Sequence, residues 1–575
     1  MKQVFLKWLF ATLCLIPAIC GAAEPPIIDQ KARFHPVIST GGMVVSQERL
    51  ASSVGADILQ QGGNAVDAAV ATGFALAVTL PQAGNIGGGG FMLVHLAQEQ
   101  RTIAIDYREM APAAATQNMF LDKGGDVDPA ASRFSRRAAG VPGTVAGLLH
   151  ALNAYGTMTP EQVLAPAIAL ADKGFVVTRP LAYSLRRAEQ RLRRDSAASR
   201  YFFAPDGSLL QRGNRWRQAD LAATLRRIAG KGSEGFYRGK TAELIVAEML
   251  RGGGLITRED LANYRVVERQ PVVGKYRGYT VASMPPPSSG GVHLVQMLNV
   301  LEGWDLSALG HNSAAYLHRL TETMRRAYAD RSKYLGDPDF YPVPVSRLMD
   351  REYATRLRQG IDLRRASRSA DIAPGLELPE ESSQTTHFSV WDRDGNVVSN
   401  TYTLNFSYGS GIAVAGAGFL LNNEMDDFSA KPGTPNAYGL LGGEANAIQA
   451  GKRPLSSMTP TIVLRDGKPV LATGSPGGST IITVVLQNIL NVIDFHMNVA
   501  EATAAPRIHH QWFSDRLNYE AGISPDTLDG LREMGHELAP QPRILGKIQA
   551  IASDGNYQYG VTDSRWPGGE AAVAE

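Results

Sequence analysis

The residues best suited to chemistry in this sequence surround Thr385. A threonine hydroxyl is a weak nucleophile unless a base stands beside it. One solution makes the threonine the first residue of a chain, so that its own α-amine is the base. The chain must then be cut before it. Here a polar stretch ending Ser382-Ser383-Gln384 runs straight into Thr385-Thr386-His387, which fits a cut between Gln384 and Thr385. Residue types alone carry this weakly, because Thr-Thr at a strand start is ordinary β-propensity. His387 follows closely, but the α-amine already supplies the base, so His387 reads as structural. Other chemistries are poorly served. Cys14 and Cys20 are the only cysteines, so the chain beyond residue 23 has no thiol nucleophile, disulfide or Cys-ligated zinc. His509-His510 looks like a metal pair, but adjacent strand residues face opposite ways and no third ligand is evident. No metal and no cofactor is expected. The run Gly87-Gly88-Gly89-Gly90 lacks the Lys-Ser/Thr of a phosphate loop, and its glycines instead permit close backbone approach.

The elements that must position Thr385 can be read around it. Val44-Val45-Ser46 reads as a strand, followed by a helix over about 47–61 that stops at Gly62-Gly63. Asn64 caps a second helix over about 65–80, ended by Pro81. After the glycine run comes an apolar strand over 91–95. Residues 145–360 look mostly helical. Within them, Arg186 to Arg194 reads as a solvated basic helix face, and Met284-Pro285-Pro286-Pro287 as a rigid loop leading into a helix over 293–301. Residues 363–384 read as an exposed polar loop, with Pro374 and Pro379 breaking any helix. Two hairpins follow. Strands 386–391 and 396–403 flank the turn Asp392 to Asn396, and 460–464 and 469–473 flank Arg465 to Lys468. The second runs into Gly474-Ser475-Pro476-Gly477-Gly478 and a helix from about 479. The Gly- and Ala-rich tail, 566–575, reads as disordered. No solenoid repeat is visible.

The chain of 575 residues is long enough for a sizeable core, and its 19% charged residues argue against disorder. Lys and Arg exceed Asp and Glu by 57 − 55 = 2, and Lys2 and Lys7 in the acid-free first 23 residues account for the surplus. A neutral remainder has no bulk electrostatic footprint for nucleic acid or an anionic membrane. Lys2 and Lys7, the apolar stretch 8–21 and the small residues Gly21, Ala22 and Ala23 describe a secretory signal cut after Ala23. An uncleaved anchor is the alternative, but the stretch is short for a span. A lipid-anchored Cys20 is disfavoured by the bulky Ile19 before it. Export without disulfides suits a periplasmic or secreted enzyme.

Residues 385–390 (Thr-Thr-His-Phe-Ser-Val), Gly395 through Asn405, and Tyr408-Gly409 together resemble the signature of the γ-glutamyltransferases, which are N-terminal-nucleophile hydrolases. The match extends through Leu421-Asn422-Asn423-Glu424-Met425-Asp426-Asp427, Pro454 to Pro460, Gly474 to Gly478, Pro81 to Phe91 and Asp106 to Pro112. It covers about residues 37–565. The resemblance implies an α+β fold, a four-layer αββα sandwich built from two autoprocessed subunits. These would be a large subunit, 24–384, and a small one, 385–575. It implies that Thr385 attacks the Gln384 carbonyl to cut the precursor, then attacks γ-glutamyl amides such as glutathione. The γ-glutamyl ester passes to water, or to an amino acid or dipeptide acceptor. By the same resemblance Thr403 orients the nucleophile, and Gly477 and Gly478 form the oxyanion hole. Arg108 takes the substrate carboxylate, Ser456 and Ser457 add hydroxyl donors, Glu424 and Asp427 hold the ammonium, and Asn405 accepts nearby. Residues 432–443 resemble a lid carrying Tyr438, which would favour small substrates. Related readings are a cephalosporin side-chain acylase and a γ-polyglutamate-processing enzyme. A reading of a different class is a non-catalytic periplasmic γ-glutamyl-binding protein.

Overall fold

The computed structural model describes residues 32–372, 385–434 and 442–575. Gln384, Tyr438 and the signal over 1–23 lie outside the described residues. Two seven-stranded antiparallel sheets form the centre. The first runs Glu570–Val573, Gly42–Ser46, Thr386–Asp392, Val397–Thr403, Gly89–Leu96, Arg101–Tyr107, Val267–Arg269. The second runs Val37–Ser39, Gln558–Thr562, Gln549–Ser553, Lys468–Thr473, Thr461–Arg465, Tyr279–Ser283, Val272–Tyr276. Both sheets combine strands from before and after Thr385, so each half of the chain completes the other's ladders.

Strand periodicity sorts the side chains into two cores. Val44, Met92, Val94, Phe388 and Val390 pack against helices Arg49–Gln60, Ala65–Thr79 and Thr144–Tyr155. Their neighbours Met43, Val45, Phe91, Leu93 and Trp391 face the second sheet, meeting Val281, Ile462, Leu471 and Ile551. Helices Gly290–Leu301, Ala314–Tyr334 and Ile481–Ile493 join that second core. The order is therefore helix, sheet, sheet, helix, as the resemblance implied.

The expected caps form. Asn64 Oδ1 accepts from the amides of Val66 (2.9 Å) and Asp67 (3.0 Å), and Asp67 accepts from Asn64 N (2.8 Å). The helix that follows is buried on every side, which suits a helix sandwiched within a layered core. In the first hairpin, Asp392 Oδ1 accepts from Asn396 N (2.9 Å) and its Oδ2 from Ala65 N (2.9 Å). One side chain thus closes the turn and ties it to the start of that buried helix.

The structure departs from the sequence reading in three places. The tail is not disordered: Glu570–Val573 pairs with Gly42–Ser46 as an edge strand. Trp566 Nε1 donates to Gln47 O (2.9 Å) and anchors the approach. The open edge of a distant strand supplies what the tail's small residues lack. Five strands, Phe175–Val176, Arg215–Trp216, Val267–Arg269, Val272–Tyr276 and Tyr279–Ser283, interrupt the region read as mostly helical. The described part of the loop read as exposed, 363–372, includes a short helix, Ser369–Ile372. Its Ser369 is buried, donating to Trp512 O (2.6 Å) and accepting from Arg325 Nη1 (2.6 Å).

Candidate active site

The hairpin register sets the site. Thr386 pairs with Tyr402 and His387 with Thr401, so the next position brings Thr385 opposite Thr403. The two hydroxyls meet at 3.4 Å, Thr385 donating. Thr403 Oγ1 also accepts from Asn405 N at 2.9 Å. Asn405 sits at φ 71°, a left-handed conformation that asparagine tolerates better than most residues. Its Nδ2 donates to Asn423 O at 3.0 Å, which fastens this turn to the 3₁₀ turn Glu424–Asp427.

The glycine run explains how these turns come so close. A Cβ on Gly88 would lie 2.0 Å from Thr403 O, and one on Gly87 would lie 2.1 Å from Leu420 O. Asn422 Nδ2 donates to Gly87 O and Gly140 O, both at 2.8 Å. The run is a seat for backbone.

Arg108, Thr385, Thr403, Asn405, Glu424, Asp427, Ser456, Ser457 and Gly478 line one pocket. Arg108 is fully buried and ion-pairs with Glu424 and Asp427. Its backbone oxygen accepts from Tyr264 OH (2.8 Å). Burial alone would lower the guanidinium pKa, but Glu424, Asp427 and Glu109 together hold it above its ordinary value. Burial pushes Glu424 well up, against the pull of Arg108. Glu109 is pushed up to about 7 by burial, again opposed by Arg108. Glu424 Oε2 is buried with no hydrogen-bond partner among the described residues. Three carboxylates around one cation leave room for a second cation. Ser456 Oγ accepts from Met458 N (3.1 Å), and Ser457 Oγ accepts from Arg331 Nη2 (3.0 Å).

Gly477 and Gly478 take φ 148° and 57° and open the turn into helix Ile481–Ile493. Gly478 faces the pocket, whereas Gly477 lines a neighbouring cavity. Backbone N–H groups at such a turn are suited to a developing oxyanion.

His387 lies off the pocket. Its ring bonds to Thr401 Oγ1 (2.8 Å) and Ser389 Oγ (3.1 Å), and burial lowers its pKa to about 3. His509 bonds Thr483 Oγ1 (2.9 Å) and His510 bonds Asp515 (3.2 Å). No group of three or more metal-ligating side chains occurs among the described residues. The sequence reading missed Arg331 and Glu109. Arg331 also lines the pocket and donates to Ser289 Oγ (2.9 Å), but it sits in the last turn of a long helix with no local motif around it. Glu109 falls within the stretch Asp106 to Pro112, where nothing local marks it as part of the site.

Chemically, the pocket matches an α-amino acid zwitterion beside a hydroxyl nucleophile. A carboxylate suits the planar fork of Arg108 and the two serines, and an ammonium suits Glu424 and Asp427.

A family profile described as Gamma-glutamyltranspeptidase matches residues 51–573. A glutathione hydrolase proenzyme from Escherichia coli K12 is 51% identical over 98% of this chain and 97% of its own length. A second, from Pseudomonas sp. strain A14, is 51% identical over 94% of this chain and 93% of its own. A solved structure of a cephalosporin acylase from Bacillus halodurans superposes with a TM-score of 0.83 at 30% identity, covering 96% of this chain and 99% of that one.

Proposed function

The chain belongs to the γ-glutamyltranspeptidase family, and from that premise we propose how its own residues carry the chemistry. It is an enzyme, a γ-glutamyltransferase and glutathione hydrolase, made as a proenzyme that is processed into two subunits.

The cut falls between Gln384 and Thr385. Thr385 Oγ1 attacks the Gln384 carbonyl, the peptide C–N bond breaks, and the proton passes to the freed nitrogen. Water then hydrolyses the ester. The products are a large subunit, 24–384, and a small one, 385–575. The interleaved ladders of both sheets hold them together after cleavage.

In catalysis the Thr385 α-amine takes the hydroxyl proton as Oγ1 attacks the γ-carbonyl. The N–H groups of Gly477 and Gly478 meet the oxyanion. Each such donor is worth about 10²–10³ in rate. The Thr385 ammonium protonates the leaving amine, and the ester is passed to water or to an amino acid or dipeptide. Thr403 orients the nucleophile, Arg108, Ser456 and Ser457 hold the α-carboxylate, and Asn405, Glu424 and Asp427 hold the α-ammonium. What most supports Thr385 as nucleophile is the register that sets it opposite Thr403, in the lining of the Arg108 pocket.

The acid-rich pocket favours γ-glutamyl over glutaryl side chains. A glutaryl group has no ammonium for Glu424 Oε2 or Asp427. We expect kcat/KM for glutathione to exceed that for a glutaryl-cephalosporin by about 10²-fold or more, since a polar site rejects an analogue that leaves it unpaired. Equal turnover of the two contradicts this reading. Residues 1–23 are proposed as the signal that carries the enzyme to the periplasm or medium. No helix among the described residues is long and apolar enough to cross a membrane.

A further inference from the structure

The proline-rich loop 285–289 leads into helix Gly290–Leu301 and bonds directly to the segment that carries Ser456 and Ser457. Ser288 and Ser456 form a parallel bridge. Ser289 N donates to Ser456 O (2.8 Å), and Ser456 N donates to Pro287 O (2.9 Å). Two residues earlier in the same segment, Arg108 Nε donates to Pro454 O (3.3 Å). The segment is thus tied to this loop as well as to Arg108.

Ser289 stands at the N-cap of helix Gly290–Leu301, where a serine side chain ordinarily accepts from an amide of the first turn. Here it makes no capping bond. Its Oγ instead donates to Ser456 O (2.8 Å) and accepts from Arg331 Nε (2.9 Å). A hydroxyl has one O–H, so the carbonyl fixes where that proton points and the guanidinium takes a lone pair. Ser289 and Arg331 are both buried. A cap residue used in this way gives up local helix stability for a contact made elsewhere, which is the mark of a functional position. The same guanidinium reaches Ser457 Oγ through Nη2 (3.0 Å). Ser457 Oγ therefore accepts from Arg331, just as Ser456 Oγ accepts from Met458 N (3.1 Å). Each of the two hydroxyls keeps its one O–H to give, and both residues line the Thr385 pocket.

We propose that Ser289 is a positioning residue for the donor's α-carboxylate. By holding Arg331 and the Ser456 carbonyl together, it turns the O–H groups of Ser457 and Ser456 toward that carboxylate. The proposal rests on the transferase reading above. Ser289 is not among the residues lining the pocket, so it acts through Arg331 and the Ser456 backbone. Ser289 and Arg331 precede Thr385 in the chain, and both pocket serines follow it. The large subunit therefore sets the carboxylate end of a pocket whose nucleophile belongs to the small one.

The test uses the processed two-chain enzyme and its Ser289→Ala and Ser288→Ala variants, with processing checked by intact mass. Ser288 is an equally buried neighbour whose Oγ donates to Met458 O (2.6 Å) instead. Hydrolysis of γ-glutamyl-p-nitroanilide is compared with that of the same donor carrying a carboxamide in place of its α-carboxylate. The lost bond is to a charged group, so Ser289→Ala should lower kcat/KM for the acid about tenfold, almost wholly through KM. It should leave the carboxamide within about twofold, because that donor has no carboxylate to misplace. Ser288→Ala should keep the ratio of acid to carboxamide within about twofold of the parent's, whatever it costs in stability. If Ser289→Ala fails to mature, Ser289→Cys takes its place with the same expectations, since a thiol fills the site but bonds weakly. Acid and carboxamide donors that fall together, a loss confined to kcat, or a Ser288→Ala variant that loses the ratio equally overturns the proposal. A parent that hydrolyses no γ-glutamyl donor fails the transferase reading itself, which is a separate result.

Discussion

Thr403→Val isolates the contact on which the nucleophile's orientation rests. Valine keeps the branched shape and the strand position but removes one oxygen. That oxygen accepts from Thr385 at 3.4 Å and from Asn405 N at 2.9 Å. The first bond is long, so its loss is worth about 0.5 kcal/mol, the bottom of the range for a neutral hydrogen bond. The second loss takes an acceptor from a buried N–H, at about 1–3 kcal/mol. Asn405 also holds a left-handed turn against Asn423, so this cost is felt in the pocket wall. If about 1.4 kcal/mol or more of the sum falls on the transition state, kcat drops at least tenfold. The charged contacts to the substrate's glutamate end are untouched, so KM for γ-glutamyl-p-nitroanilide should stay within about threefold. Thr403→Ser restores the oxygen and should recover most of the rate. Steady-state kinetics on the processed enzyme read all three. A valine variant with parental kcat, or a loss confined to KM, refutes the orienting role.

Arg331→Gln withdraws the donor to Ser457 Oγ. It should raise donor KM about 3- to 30-fold with little change in kcat; an unchanged KM removes Arg331 from substrate positioning. Gly474→Ala would place a Cβ 2.3 Å from the buried His387 ring. Urea denaturation should show a loss of about 1–3 kcal/mol, and parental stability would mean that the ring is free to shift. Glu109 has its pKa raised by burial from 4.5 to about 7. The folded state therefore binds more protons than the unfolded state within that window, and stability falls as pH rises through it. Relative to Glu109→Gln, the parent should lose stability between pH 5 and pH 8, and a parent that gains stability over that range contradicts the assignment.

Much of this site was legible in the sequence because its parts are local. The turn at Asp392 to Asn396 fixes the hairpin, and the hairpin fixes Thr385 against Thr403. Asn64 before an apolar run marks a helix start by side-chain chemistry that needs no partner from elsewhere. The glycine run signalled close approach, but only the fold shows that Thr403 O and Leu420 O are what approach it. Arg331 was invisible because a cation on a long helix has no local signature, and Ser457 reaches it from 126 residues away. The tail strand was misread for a similar reason: its ladder partner is Gly42–Ser46, at the other end of the chain. The basic run at 186–194 was read as a solvated face, and for Arg186 that stands. Arg187, Arg193 and Arg194 are exposed as well, whereas Arg191 is half-buried and donates to Ser407 O (2.6 Å), a distinction set by tertiary packing.

The central claim is that Thr385 becomes an N-terminal nucleophile. Intact mass of the purified protein under denaturing conditions, beside Thr385→Ala, tests it most directly. The account predicts two chains from the parent, the smaller beginning at Thr385, and one uncut chain without γ-glutamyl hydrolysis from the variant. A single stable chain in both, or an active Thr385→Ala enzyme, would contradict it.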